Sequence, residues 1–176
     1  MEKKEIVKLA NKIKLIALDN DGVLTNGQVF INDYGGVSKS YDIRDGLGII
    51  MARKAGIIFA IITGLKSPIV EERARQLGIE EVHQGLFNKS DILKYLLIRH
   101  NLSSSQAAYM GDDVIDIPVF SEVGLSAAPA SAHADVLNNA TWIAKSPGGN
   151  GAVRELTDFI LSAQGKYGDF IKEGKI

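Results

Sequence analysis

Cysteine is absent from the 176 residues. That excludes a disulfide framework, a thiolate metal site and a cysteine nucleophile, and it accords with a reducing cytoplasm. No charge of one sign prevails: 20 Lys and Arg stand against 21 Asp and Glu, for a formal net charge of -1. A broad basic face for nucleic acid or an anionic membrane is therefore excluded, and any anionic ligand must be held by local geometry. Long apolar runs are missing too. The longest, Ala55 to Thr63, is far too short to span a membrane. Met1-Glu2-Lys3-Lys4-Glu5 lacks the apolar stretch of a signal peptide and leads into Ile6, Val7, Leu9, Ala10 and Ile13, the pattern of a short amphipathic helix. The expectation is a cytoplasmic protein with no nucleic-acid or membrane partner.

What is present is ordinary globular composition, 45% apolar and 23% charged, in a length that suits one domain over residues 1–176. Short apolar runs alternate with segments of helical period. This predicts an α/β fold, a doubly wound parallel sheet with helices on both faces. The predicted core strands are Leu15–Leu18, Ile57–Ile62, Ala108–Met110, Gly124–Ala127 and Trp142–Ala144, with a weaker one at Glu81–His83. Their continuous apolar character suits burial on both faces.

Ser67, Pro68 and Gly78 punctuate a helix as cap, first residue and stop. Further helices are predicted from about Ser90 to His100 and from near Ala152. Residues 28–41 break the rhythm and read as a β-hairpin insertion turning at Asn32–Gly36. The Gly- and Lys-containing tail, about 165–176, is expected to be ordered only by contact with another chain.

Four polar clusters fall just past strand ends, where open α/β sheets bind ligands. They are Asp19-Asn20-Asp21-Gly22, Thr63-Gly64, Lys89, and Gly111-Asp112-Asp113 with Asp116. Taken singly each has a plain explanation: a turn, a cap or a solvated helix face. Their convergence on one sheet edge is the informative feature. Asp19, Asp21 and Asp112 together concentrate negative charge that calls for a cation, and an oxygen-only donor set suits Mg²⁺. Lys89 and Thr63 are suited to the non-bridging oxygens of a phosphoryl group.

In this order the clusters resemble the four motifs of the haloacid dehalogenase superfamily. The hairpin, Arg44-Asp45-Gly46-Leu47-Gly48, Arg73 and Gly148–Glu155 are similar to the small capless phosphatases acting on 3-deoxy-D-manno-octulosonate 8-phosphate. That resemblance covers almost the whole chain. It implies a Mg²⁺-dependent phosphatase of lipopolysaccharide sugar biosynthesis in which Asp19 is the nucleophile and forms an aspartyl-phosphate. Asp21 is then the acid and base. Asp19, the Asp21 carbonyl and Asp112 hold the metal, and Asp113 and Asp116 orient metal-bound water or Lys89. Asp42, Ile43, Arg44, Asp45, Gly46 and Arg73, with Asp21, Thr63, Gly64 and Lys89, contact a phosphorylated sugar acid. It also implies a homotetramer in which a neighbour's hairpin and tail close the site.

The chain departs from that family at Leu65, where an Arg able to pair with a substrate carboxylate is typical. The intact Arg44-Asp45-Gly46 favours the octulosonate, and the alternative is a nine-carbon keto-sugar acid 9-phosphate or another small phosphate. Asn20, where an apolar residue is frequent, is expected to matter little. A reading from another class is a phospho-accepting signalling domain, which also gathers acids and a Lys around Mg²⁺. Such a domain has no need of an acid two residues beyond its nucleophile.

Overall fold

The computed structural model describes residues 2–173. Six parallel strands form the sheet: β1 (Leu15–Leu18), β4 (Ile58–Thr63), β5 (Glu81–Gln84), β6 (Ala107–Met110), β7 (Leu125–Ala128) and β8 (Trp142–Ile143). Their order is β5-β4-β1-β6-β7-β8. The predicted strands are thus present, β1 with the expected bounds and the others with bounds shifted by one residue.

Alternate residues of the buried strands feed two separate cores. Ile16, Leu18, Ile61, Ala108 and Met110 pack with α1 (Lys3–Ala10), α2 (Ile43–Lys54), α3 (Pro68–Leu77) and α7 (Ala152–Ala163). Leu15, Ala17, Ile62 and Tyr109 pack on the other face with α4 (Lys89–Arg99), α5 (Ile117–Phe120) and α6 (Ala134–Asn139). The α3 punctuation is as read: the Ser67 side chain caps it, Pro68 opens it, and Gly78 ends it in the left-handed conformation.

Helix α2 is not legible from local pattern, since Gly46 and Gly48 depress its helical propensity. Packing explains both glycines. A Cβ at Gly46 would lie 2.6 Å from an Arg73 nitrogen, and one at Gly48 would lie 2.3 Å from the Thr157 hydroxyl. The helix gives up propensity to let α3 and α7 approach.

The hairpin is present with shorter strands than expected, β2 (Phe30–Ile31) and β3 (Val37–Ser38), paired antiparallel apart from the main sheet. The Asn32 side chain accepts from Tyr34 and Gly36 N–H to close its turn. The tail expectation needs correction. Tyr167–Glu173 forms α8 in the isolated chain, and Tyr167 and Phe170 pack on the chain's own core. Tyr167 also donates its hydroxyl to Asp158 at 3.3 Å. Residues 174–176 of the predicted tail lie outside the described residues.

Candidate active site

The strand order reverses at β1, which has β4 on one side and β6 on the other. Where it reverses, the loops beyond the carboxyl ends diverge and leave a crevice. Asp19 is the first residue past β1, and its N–H still donates to the Met110 carbonyl of β6. The next five residues, Asn20–Leu24, make one wide turn. Gly22 takes a positive φ of 88° there, open to glycine at little cost. It is also pressed against Asp112 from the β6 loop: a Cβ would fall 1.9 Å from Asp112 Oδ2. Gly148 closes on the same turn from α7's approach, its would-be Cβ lying 1.7 Å from the Gly22 carbonyl oxygen. Glycine at these positions lets three loops meet around two acids.

Lys89, fully buried at the start of α4, lies 2.8 Å from Asp19 and 2.7 Å from Asp116. Burial alone would lower its pKa, but the two carboxylates overcome that and raise it. Burial pushes Asp19 up from 3.8 to about 6, against the pull of Lys89. Asp112 is pushed up to about 7 by burial and then by Asp19 and Asp116. An excess of negative charge therefore remains after Lys89 is counted.

Oxygens of Asp19, Asp112 and Asp116 lie within 4.8 Å of one another. Asp116 is already committed. Its Oδ1 accepts from Lys89 and from the Tyr109 hydroxyl at 2.6 Å, and its Oδ2 accepts from the Asp112 and Asp113 N–H groups. Asp112 Oδ1 is the opposite case, buried with no partner among the described residues. An orphaned carboxylate oxygen beside a second buried acid fits a hard divalent cation. Asp112 has the free oxygen; Asp19, whose oxygens take the Asn20 N–H and Lys89, could join it, with Asp116 orienting Lys89. Asp113 is exposed, and its carboxylate caps its own turn by accepting from Val114 N–H.

Asp21 stands at the rim, both its oxygens paired with Lys39 Nζ at 2.6 and 2.8 Å. Thr63 ends β4 and is buried. Gly64 follows it, backed by the Phe87 ring at 3.1 Å from a would-be Cβ.

The segment expected to contact substrate divides. Asp42 and Arg44 pair with each other, and Arg44 also donates to Asn150 at 2.7 Å. Asp45 turns inward, accepting from Gly151 and Arg154 N–H at 3.2 and 2.8 Å. It caps the start of α7, and its carboxylate is not presented to the crevice. Gly46 is buried under Arg73, while the Ile43 side chain is exposed on the helix surface. Arg73 lies across the Tyr41 ring, 5.4 Å from its centroid, and donates to the Asp42 carbonyl.

Sequence reasoning missed Lys39, Tyr41 and Tyr109 and undervalued Asn20. The available signal for Lys39 was that it is the one cation in residues 28–41. Tyr109 sits in a buried strand and reads as apolar filling. Leu65 is exposed and lines a cleft of about 470 Å³ with Val29, Val37, Pro68 and Ile69, beside Lys39. Lys66 lies over Gly85, its Cε 2.6 Å from a would-be Cβ there.

Residues 75–156 match the haloacid dehalogenase-like hydrolase family. The chain is 42% identical to the 3-deoxy-D-manno-octulosonate 8-phosphate phosphatase KdsC of Escherichia coli K12, over 92% of this chain and 86% of that one. It superposes on the Moraxella catarrhalis phosphatase of the same name, solved with magnesium, phosphate and KDO. The TM-score is 0.96 at 37% identity, covering 99% of this chain and 100% of that one. The cobalt-bound Haemophilus influenzae enzyme gives a TM-score of 0.88 at 41% identity, covering 93% and 95%.

Proposed function

The chain belongs to the haloacid dehalogenase-like hydrolases, in the family of 3-deoxy-D-manno-octulosonate 8-phosphate phosphatases, and from that membership we propose that it releases phosphate from 3-deoxy-D-manno-octulosonate 8-phosphate in lipopolysaccharide sugar biosynthesis. The observation that carries the chemistry is Lys89 clamped between Asp19 and Asp116 at the reversal of strand order, with Asp112 left unpartnered beside them.

In this reading Asp19 attacks phosphorus and forms an aspartyl-phosphate, which water then hydrolyses. Asp21 gives a proton to the departing sugar oxygen and later takes one from that water. Lys89 and Thr63 hold non-bridging oxygens. Asp19, the Asp21 carbonyl and Asp112 hold Mg²⁺. When bound, the ion neutralises the phosphoryl group so that an anionic carboxylate can approach it. Arg44, exposed and with Nε and Nη2 held by Asp42 and Asn150, would reach a sugar carboxylate through Nη1.

A second reading, a nine-carbon keto-sugar acid 9-phosphate, is favoured by Leu65. No guanidinium stands at that position, and the cleft it lines combines apolar residues with Lys39 and Lys66. The proposal extends to a cytoplasmic homotetramer, supported by the hairpin: Ile31 is 71% and Tyr34 98% exposed in the isolated chain, which a second copy would cover.

The test is Mg²⁺-dependent phosphate release, comparing kcat/KM for the octulosonate 8-phosphate, nine-carbon keto-acid 9-phosphates and simple sugar phosphates. Preference for the first supports the proposal. Preference for the second moves the function to the alternative, and phosphate retained once per chain without turnover overturns both.

A further inference from the structure

Asn20 has no solvent exposure, and both ends of its amide are hydrogen-bonded. Its Oδ1 accepts from the Tyr41 hydroxyl at 3.0 Å, and its Nδ2 donates to Asp21 Oδ1 at 3.0 Å. The direction of this chain is set by chemistry. Burial and the Asp21 charge push the Tyr41 hydroxyl up to about 12, so it stays protonated and can donate. A donating phenol demands the amide oxygen on its side, which turns the NH₂ group toward Asp21. Tyr41 is held in turn by Arg73 stacked on its ring.

We propose that Asn20 and Tyr41 are positioning residues for Asp21, fixing its side-chain orientation so that Oδ2 faces the departing oxygen of the phosphate ester. Asp21 otherwise has only Lys39, whose flexible ammonium binds both carboxylate oxygens and so does not distinguish them. The Asn20 amide loads Oδ1 alone. It therefore breaks that symmetry and leaves Oδ2 as the less encumbered oxygen. Neither residue touches the phosphoryl group; both act through Asp21. The apolar residue expected at position 20 could not do this, so the device belongs to this chain's own pairing of Asn20 with Tyr41.

The inference rests on the acid role assigned to Asp21 above, and the test separates the two. Proton donation matters for a poor alcohol leaving group and much less for p-nitrophenolate, which departs unaided. Asn20→Leu keeps the branching at Cγ with more bulk, and Tyr41→Phe removes one oxygen while leaving the ring under Arg73. Both are measured with a primary sugar phosphate and with p-nitrophenyl phosphate, beside Asp21→Asn. For each of the two positioning variants, kcat/KM with the sugar phosphate, which reads the leaving-group step and not the later hydrolysis shared by both esters, is expected to fall about tenfold, at least three times more than with the aryl ester. Asp21→Asn is expected to show the same dependence more strongly.

If Asp21→Asn loses kcat/KM equally for both esters, the acid role fails and the proposal goes with it. If Asp21→Asn discriminates while Asn20→Leu and Tyr41→Phe lose both esters equally, or lose neither, Asn20 is packing alone and the proposal is overturned.

Discussion

The ammonium of Lys89 lies 2.8 Å from the carboxylate of Asp19, both buried. Lys89 thus does two things at once. It keeps a desolvated carboxylate ionisable near neutral pH, and it offers a charge to whatever anion Asp19 meets. Replacing it with Met leaves Asp19 and Asp116 buried without their cation. Lys89→Met is expected to cost about 3 kcal/mol of stability and to lower turnover by roughly 10²-fold or more. Urea unfolding and steady-state phosphate release measure the two effects.

Asp19→Asn removes the proposed nucleophile while preserving shape. Turnover is expected to fall by roughly 10³-fold or more, with the fold retained by circular dichroism. Substantial residual activity would place the nucleophile elsewhere.

The raised carboxylates make stability depend on pH in a stated direction. Asp19 at about 6 and Asp112 at about 7 sit above the ordinary 3.8, so the folded chain holds protons that the unfolded chain has lost. Metal-free protein is therefore expected to lose stability as pH rises from about 4 to about 7. A divalent ion takes the place of those protons, so Mg²⁺ should raise Tm more at pH 7.5 than at pH 5. Tm measured across pH with EDTA and with Mg²⁺ checks this. An equal Mg²⁺ increment at both pH values would separate the metal site from these two acids.

Asp45→Ala tests the inward turn of that side chain. It takes two acceptor bonds from the first turn of α7, and the loss is expected to be about 1–2 kcal/mol, the scale of a lost helix cap. KM for the sugar phosphate should change little. A large rise in KM at unchanged stability would restore the role of substrate contact.

Truncation after Gly165 removes α8, whose Tyr167 and Phe170 pack on the core. Stability is expected to drop by about 2–4 kcal/mol, the scale of two partly buried aromatic side chains, and thermal unfolding reads it. An unchanged Tm would return the tail to a role between subunits.

The sequence determined the strands and the chemistry at their ends. Leu15–Leu18 and Ile58–Thr63 are legible because buried parallel strands need apolar residues on both faces. Asp19, Thr63, Lys89 and Asp112 are legible because each ends or follows such a strand in chain order or opens the next helix. Local pattern also contained α3, whose capping residues act within a few positions of one another.

What only the tertiary structure decided involves partners far apart in the chain. Asp45 caps a helix 106 residues away, Gly46 and Gly48 make room for α3 and α7, and Lys39 reaches Asp21 from a hairpin. Asn20 shows the boundary most clearly: beside Asp19 in sequence, it takes its meaning from Tyr41, 21 residues on. A periodicity or a motif reports what a residue needs from its neighbours along the chain. The direction of a buried hydrogen bond is set by whichever group the fold brings opposite it, and that group leaves no mark at the position itself.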